Sequence, residues 1–182
     1  MQVAPEFVYL QCATACAAGA AVTDLRSRRI PNWLTGSGFF AGLLLHFVYG
    51  GLPATGRALL AALIAGGIFF VFCLAGGMGA GDVKLIAAVG SLAGLSSIAG
   101  VLIATALLGA IVAIITAVVN GRLRETFANA GSLLAHHQAN GMAPHPELNV
   151  RNASMLRLPY AIPIVGGCLA MLLTSLYGGP KL

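Results

Sequence analysis

Charge is what this chain has least of. Its 182 residues include five acids and ten bases, 8% charged in all, where a soluble domain carries about a quarter. Hydrophobic residues make up 58% of the chain and the mean hydropathy is +0.90, so there is too little polar surface to keep a globular domain in water. A soluble fold is excluded, and no nucleic-acid partner is expected. The chain reads as an all-α, polytopic membrane protein, with room for about six spans of roughly 20 residues and one modest loop.

Other absences narrow the reading further. No Lys or Arg precedes Arg26, and Glu6 is the only early charge. The apolar stretch 7–22, with Ala-Gly-Ala at 18–20, therefore lacks the basic start of a secretory signal and is expected to be an uncleaved first helix. There is no Cys-x-x-Cys pair. Cys12, Cys16, Cys73 and Cys168 all fall in expected spans, where a thiol packs as a small hydrophobe. Cys12 and Cys16 share a helix face, but two thiols alone do not make a metal site. His136, His137 and His145 fall in a polar loop and His46 in the second span, with nothing in the pattern to gather them. No metal and no cofactor are expected.

What is present is a series of apolar runs. Residues 6–23, 33–50, 57–75, 98–119 and 158–177 are each long enough to cross. Between the third and the 98–119 run lies a shorter helix, expected at 82–95; its length of roughly 20 Å falls short of the roughly 30 Å hydrocarbon core. If it reaches the outer face, where Gly94, Ser96 and Ser97 suggest a tight turn, its first residue, Asp82, lies below the cytoplasmic boundary. Six alternating spans with both termini outside place Arg26, Arg28, Arg29, Lys84, Arg122, Arg124, Arg151 and Arg157 on the cytoplasmic side, leaving Arg57 and Lys181 outside. That is the positive-inside pattern. The polar stretch 120–157 is then a cytoplasmic loop. Within it Leu123, Phe127, Ala130 and Leu134 keep helical spacing and suggest a short helix on the membrane surface; the rest, with Pro144 and Pro146, reads as irregular.

Two of the five acids then stand out. Asp24 closes the first apolar run and Asp82 follows two glycines in Gly-Ala-Gly-Asp-Val-Lys at 79–84, so both fall at the cytoplasmic ends of spans. A carboxylate at membrane depth costs at least a few kcal/mol and is kept where it is paired, solvated or used. Two carboxyls that share a site repel, so one holds a proton while the other is ionised. The ionised member activates water and the protonated member donates to a peptide carbonyl, which hydrolyses an amide without a covalent intermediate. Gly79 and Gly81 would let substrate approach the backbone or allow positive φ. Structural roles compete with this reading: Asp24 pairing with Arg26 or Arg28 at a helix end, and Asp82 serving as an N-cap with Lys84 as an interface anchor.

Three segments together resemble the signature regions of type IV prepilin peptidases, and they come in that family's order: Asp24 with Ile30-Pro31-Asn32, the Gly79 to Lys84 motif, and Leu-Pro-Tyr-Ala-Ile-Pro at 158–163. The resemblance implies a single membrane-embedded peptidase domain over 1–182, with six helices, the short fourth one starting at the GxGD motif. It implies an aspartyl protease whose catalytic pair is Asp24 and Asp82, with Gly79, Gly81, Lys84, Pro31, Asn32, Pro159 and Tyr160 positioning substrate or shaping the motif. The implied substrates are prepilins or pilin-like proteins, cut at the cytoplasmic side of the bacterial inner membrane to remove a short basic leader. Membrane lipids are the other expected partner, and the oligomeric state is open.

Longer members of that family carry an N-terminal cytoplasmic region with paired Cys-x-x-Cys motifs, associated with methylating the new pilin N-terminus. Here the first span begins within ten residues, so the expected form is the minimal, peptidase-only one, similar to those serving Flp or tight-adherence pili. The alternative from another class is a small membrane scaffold or transporter subunit that uses Asp24 and Asp82 to bind ions or protons. Such proteins more often place acids near mid-span or in interrupted helices of two related halves.

Overall fold

The computed structural model describes residues 5–141 and 160–177, and among these every regular element is helical. In chain order they are α1 (Pro5–Ser27), α2 (Asn32–Leu74), α3 (Ala80–Ala93), α4 (Leu95–Val119), α5 (Leu123–Asn140) and α6 (Ala161–Tyr177). Long apolar runs satisfy their backbone internally as helices, and Pro and Gly mark the ends. Pro31, at φ −65° and ψ 135°, is the N-cap of α2; it has no N–H to leave unpaired and cannot extend a helix backwards.

The 43 residues of α2 are not one rod. Gly51 sits at φ 64° and ψ −163°, a conformation that essentially only glycine adopts, and Pro53 follows within the next turn. The two arms, 32–50 and 52–74, fold back on each other around α3. Side chains added at Gly38 and Gly42 of the first arm would meet Ala88 and Ser91, so this arm runs in the same direction as α3. Gly66 of the second arm faces Ala87 while Ala61 and Ala62 face Gly90, so that arm runs the opposite way. The result is a helical hairpin that clasps α3. Small residues make the close approach possible: a Cβ on Gly90 would lie 2.8 Å from the Ala61 carbonyl oxygen.

The core is built on α3. Leu85, Ile86, Ala88, Val89, Leu92 and Ala93 are buried, against Leu10, Ala13 and Ala17 of α1, Ala61, Ala65 and Phe69 of α2, Val101 of α4 and Ile164 and Cys168 of α6. The C-terminal end of α3 is sealed. Gly94 (φ 74°) turns the chain directly into α4, and the buried His46 ring lies over that turn, its Nε2 3.3 Å from the Leu92 carbonyl oxygen and its centroid 3.9 Å from that of the tilted Tyr9 ring.

These observations revise several expectations. Among the described residues three helices, α1, α2 and α4, are long and apolar enough to cross a membrane, so the six expected spans are not confirmed. The difference arises because the second and third spans are arms of one broken helix, while α3 with 14 residues and α6 with 17 are shorter. The short fourth helix has its expected length but occupies Ala80–Ala93 instead of 82–95, because Gly79 and Gly94 bound it. In the polar stretch, α5 forms across the expected positions; the side chains of Phe127, Ala130 and Leu134 fall outside the description, as do residues 142–159, among them Pro144, His145, Pro146 and Glu147.

Candidate active site

Asp24 lies in the last turn of α1, half-buried. That turn ends when Arg28 adopts a left-handed conformation (φ 51°), from which its N–H donates to the Asp24 carbonyl oxygen at 2.7 Å. Such a cap closes a helix end, although glycine usually supplies it and the β-carbon of arginine costs about 1–2 kcal/mol there. Only residues 28–31 then separate α1 from α2. The Pro31 carbonyl oxygen accepts from the N–H groups of Leu34 and Thr35 at 3.2 and 3.3 Å, which starts α2.

Asp82 occupies the third position of α3 instead of the N-cap. The N-cap is Gly79. Its N–H donates to Asp82 Oδ2 at 3.2 Å while the Asp82 N–H donates to the Gly79 carbonyl oxygen at 3.1 Å, so the aspartate closes the first turn reciprocally, as the third residue of a capping box does. The N-cap role considered for Asp82 is therefore corrected by one turn. Positive φ at the motif glycines is corrected as well: Gly79 has φ −83°, and neither it nor Gly81 is among the glycines with positive φ.

The two stretches meet. A Cβ on Gly81 would lie 3.5 Å from Ile30 Cβ, so the Ile30 side chain rests on the glycine immediately before Asp82. Lys84 Nζ donates to Asn32 Oδ1 at 2.9 Å across 52 residues of sequence. Asp82 lies within electrostatic reach of both Asp24 and Tyr160, so all three segments singled out in the sequence gather at the N-terminal end of α3. Asp24, Asp82 and Tyr160 are half-buried, whereas Asn32 and Lys84 are exposed. Arg28 also acts electrostatically on Asp24, so a helix-end partner for this carboxylate exists beside the second aspartate. Pro159 lies outside the described residues.

A model of the type IV leader peptidase family matches residues 12–114. That stretch is more than half of the chain and includes both aspartates. The chain belongs to the type IV leader peptidase family. Searches of curated proteins and of solved structures each found no match. Membership, with the three long apolar helices, makes the chain a membrane protein of a protease family that acts on protein substrates. The match ends before α6, so the approach of Tyr160 to Asp82 is seen in the fold of this chain and lies outside the matched stretch.

Two contacts of the site are not legible in the sequence. Ile30 was noted only as part of a motif, and nothing in the pattern tied Lys84 to Asn32; a contact across 52 residues leaves no periodic signal. Two other pairings of described residues lie away from the aspartates. Cys16 of α1 and Cys168 of α6 are within electrostatic reach of each other in the core, and His46 sits at the opposite end of α3. Among the described residues no three His, Cys, Asp or Glu side chains group so as to hold a metal ion.

Proposed function

We propose that the chain is an aspartic endopeptidase that removes the short basic leader from type IV prepilins or pilin-like proteins, with Asp24 and Asp82 as its catalytic pair. The observation that carries this reading is the gathering of the three motif segments around one half-buried pair of carboxyls: Ile30 on Gly81, Lys84 on Asn32, and Asp82 in reach of Asp24 and Tyr160. Two carboxyls so placed share one proton between them. The ionised one draws a proton from the attacking water as the protonated one donates to the scissile carbonyl. Pro31, Gly79 and Tyr160 shape the surroundings in which the substrate lies.

The whole of 1–182 forms one membrane-embedded domain in the bacterial inner membrane. In this topology the crossing elements are α1, the two arms of α2, the short α3, α4 and α6, with both termini outside and the 120–157 segment in the cytoplasm. Arg26, Arg28, Arg29 and Lys84 then lie on the side where positive charge is retained, and the active site faces the cytoplasm, where the leader is.

Co-expression with a candidate prepilin tests the assignment. Wild type should shorten the prepilin on a gel, while Asp24→Asn and Asp82→Asn, which keep size and polarity but lose the ionisable group, should leave cleavage at background and insert at normal levels. Near-wild-type cleavage by either variant removes that residue from the pair. Loss of the protein from the membrane instead makes the aspartate structural.

A further inference from the structure

Four residues connect the helix that bears Asp24 to the helix hairpin that clasps α3, and this link together with the first residue of α2 touches α3 on both sides of Asp82. Ile30 packs on Gly81, one residue before the aspartate, and Asn32 accepts from Lys84, two residues after it. Positions 81 and 84 are three apart and so lie side by side on one face of the helix; the two contacts therefore hold the turn that carries Asp82 before and after it. At its other end the link is tied to Asp24 itself, through the 2.7 Å bond from the Arg28 N–H to the Asp24 carbonyl oxygen. Between the two ends Pro31 holds its backbone at φ −65°, a dihedral its ring fixes.

We propose that Lys84, Asn32 and Ile30 form a clamp that sets the spacing of Asp24 and Asp82, and that Lys84 and Asn32 act as positioning residues and not as substrate contacts. This inference rests on the reading of Asp24 and Asp82 as the catalytic pair. A slide or rotation of α3 that moved Asp82 would have to lift Ile30 off Gly81 or break the Lys84–Asn32 bond. The residue types suit the task. Lysine at a membrane boundary ordinarily extends its ammonium into water, whereas here it is held at 2.9 Å by an amide oxygen. An asparagine supplies that acceptor without adding a third negative charge beside the two carboxyls.

Purified full-length protein in proteoliposomes, turning over a prepilin, tests the clamp through the split between kcat and KM. Lys84→Met and Asn32→Ala should each lower kcat at least tenfold with KM within twofold, because a displacement of about 1 Å in reacting groups costs on that order or more. The double variant should be no slower than the slower single one, since both remove the same bond, and Lys84→Arg should recover most of the loss. A raised KM in Lys84→Met with a silent Asn32→Ala makes Lys84 a substrate contact and overturns the clamp, as do losses that multiply in the double variant.

A second readout needs no cleavage. The Cβ positions at residues 30 and 81 are 3.5 Å apart, within the range a disulfide bridges, so Ile30→Cys with Gly81→Cys should oxidise readily in the membrane to a linked peptide seen by mass spectrometry. Adding Lys84→Met should cut the yield severalfold. Failure to link, or a yield indifferent to Lys84→Met, overturns the clamp without touching the aspartates. Conversely, cleavage by Asp24→Asn or Asp82→Asn defeats the catalytic assignment while the linking result still reports on the clamp.

Discussion

Two glycines of α3 carry opposite steric loads. At Gly81 a methyl would meet Ile30 at 3.5 Å, ordinary van der Waals contact, so Gly81→Ala should fold and cleave near the wild-type rate. Valine at the same place pushes two more methyls into Ile30 and should lower cleavage at least tenfold with the protein still inserted, because it displaces the residue that rests beside the aspartate. At Gly90 a methyl would lie 2.8 Å from the Ala61 carbonyl oxygen and 2.9 Å from Ala62 Cα, both backbone atoms of the facing arm that cannot swing aside. Gly90→Ala should therefore destabilise the fold by about 1–3 kcal/mol, read as a lower melting temperature in detergent. An unchanged melting temperature for Gly90→Ala would mean that the second arm of α2 lies farther from α3 than described. The limit at position 81 is thus one of side-chain size beyond a methyl, not of backbone dihedral, and the sequence alone did not distinguish the two.

The hairpin in α2 depends on one backbone conformation. Gly51 has φ 64° and ψ −163°, so a β-carbon there costs on the order of 1–3 kcal/mol even though a methyl would meet nothing closer than Pro53 at 3.9 Å. Gly51→Ala should accordingly destabilise through strain alone, and Gly56→Ala, where a methyl has open space, should not; thermal melting of the two side by side checks this. The apolar runs 33–50 and 57–75 were legible because hydropathy reports which residues avoid water. The exact break was not, because a helix that reverses at one glycine needs no polar loop to announce it. The same limit displaced α3 by two residues: apolarity begins at Val83, whereas the helix begins where Gly79 can cap it.

At the scale of the molecule, the order of the three motifs in the sequence was enough to expect Asp24, Asp82 and Tyr160 at one place, because spans that alternate across a membrane bring every second boundary to the same side. What joins them was not legible, since Ile30 and Asn32 meet Gly81 and Lys84 only through the packing of α2 around α3. One consequence follows from the length of α3. Its 14 residues measure roughly 21 Å, and from Leu85 to Gly94 every residue but Ala87 is buried in protein, so lipid does not require it to match the bilayer. With its other end closed under His46, the missing length, roughly 9 Å of a 30 Å core, falls at the aspartates. Hydrolysis consumes water, and hydrocarbon supplies none. In the proposed topology the enzyme must therefore maintain a wet indentation in its own membrane, whose depth is set by the lipid around it as much as by the protein. Cleavage in proteoliposomes should slow as acyl chains are lengthened from about 14 to about 22 carbons, because a thicker bilayer deepens the indentation that water and leader must enter; equal rates across the series would place Asp82 at the surface.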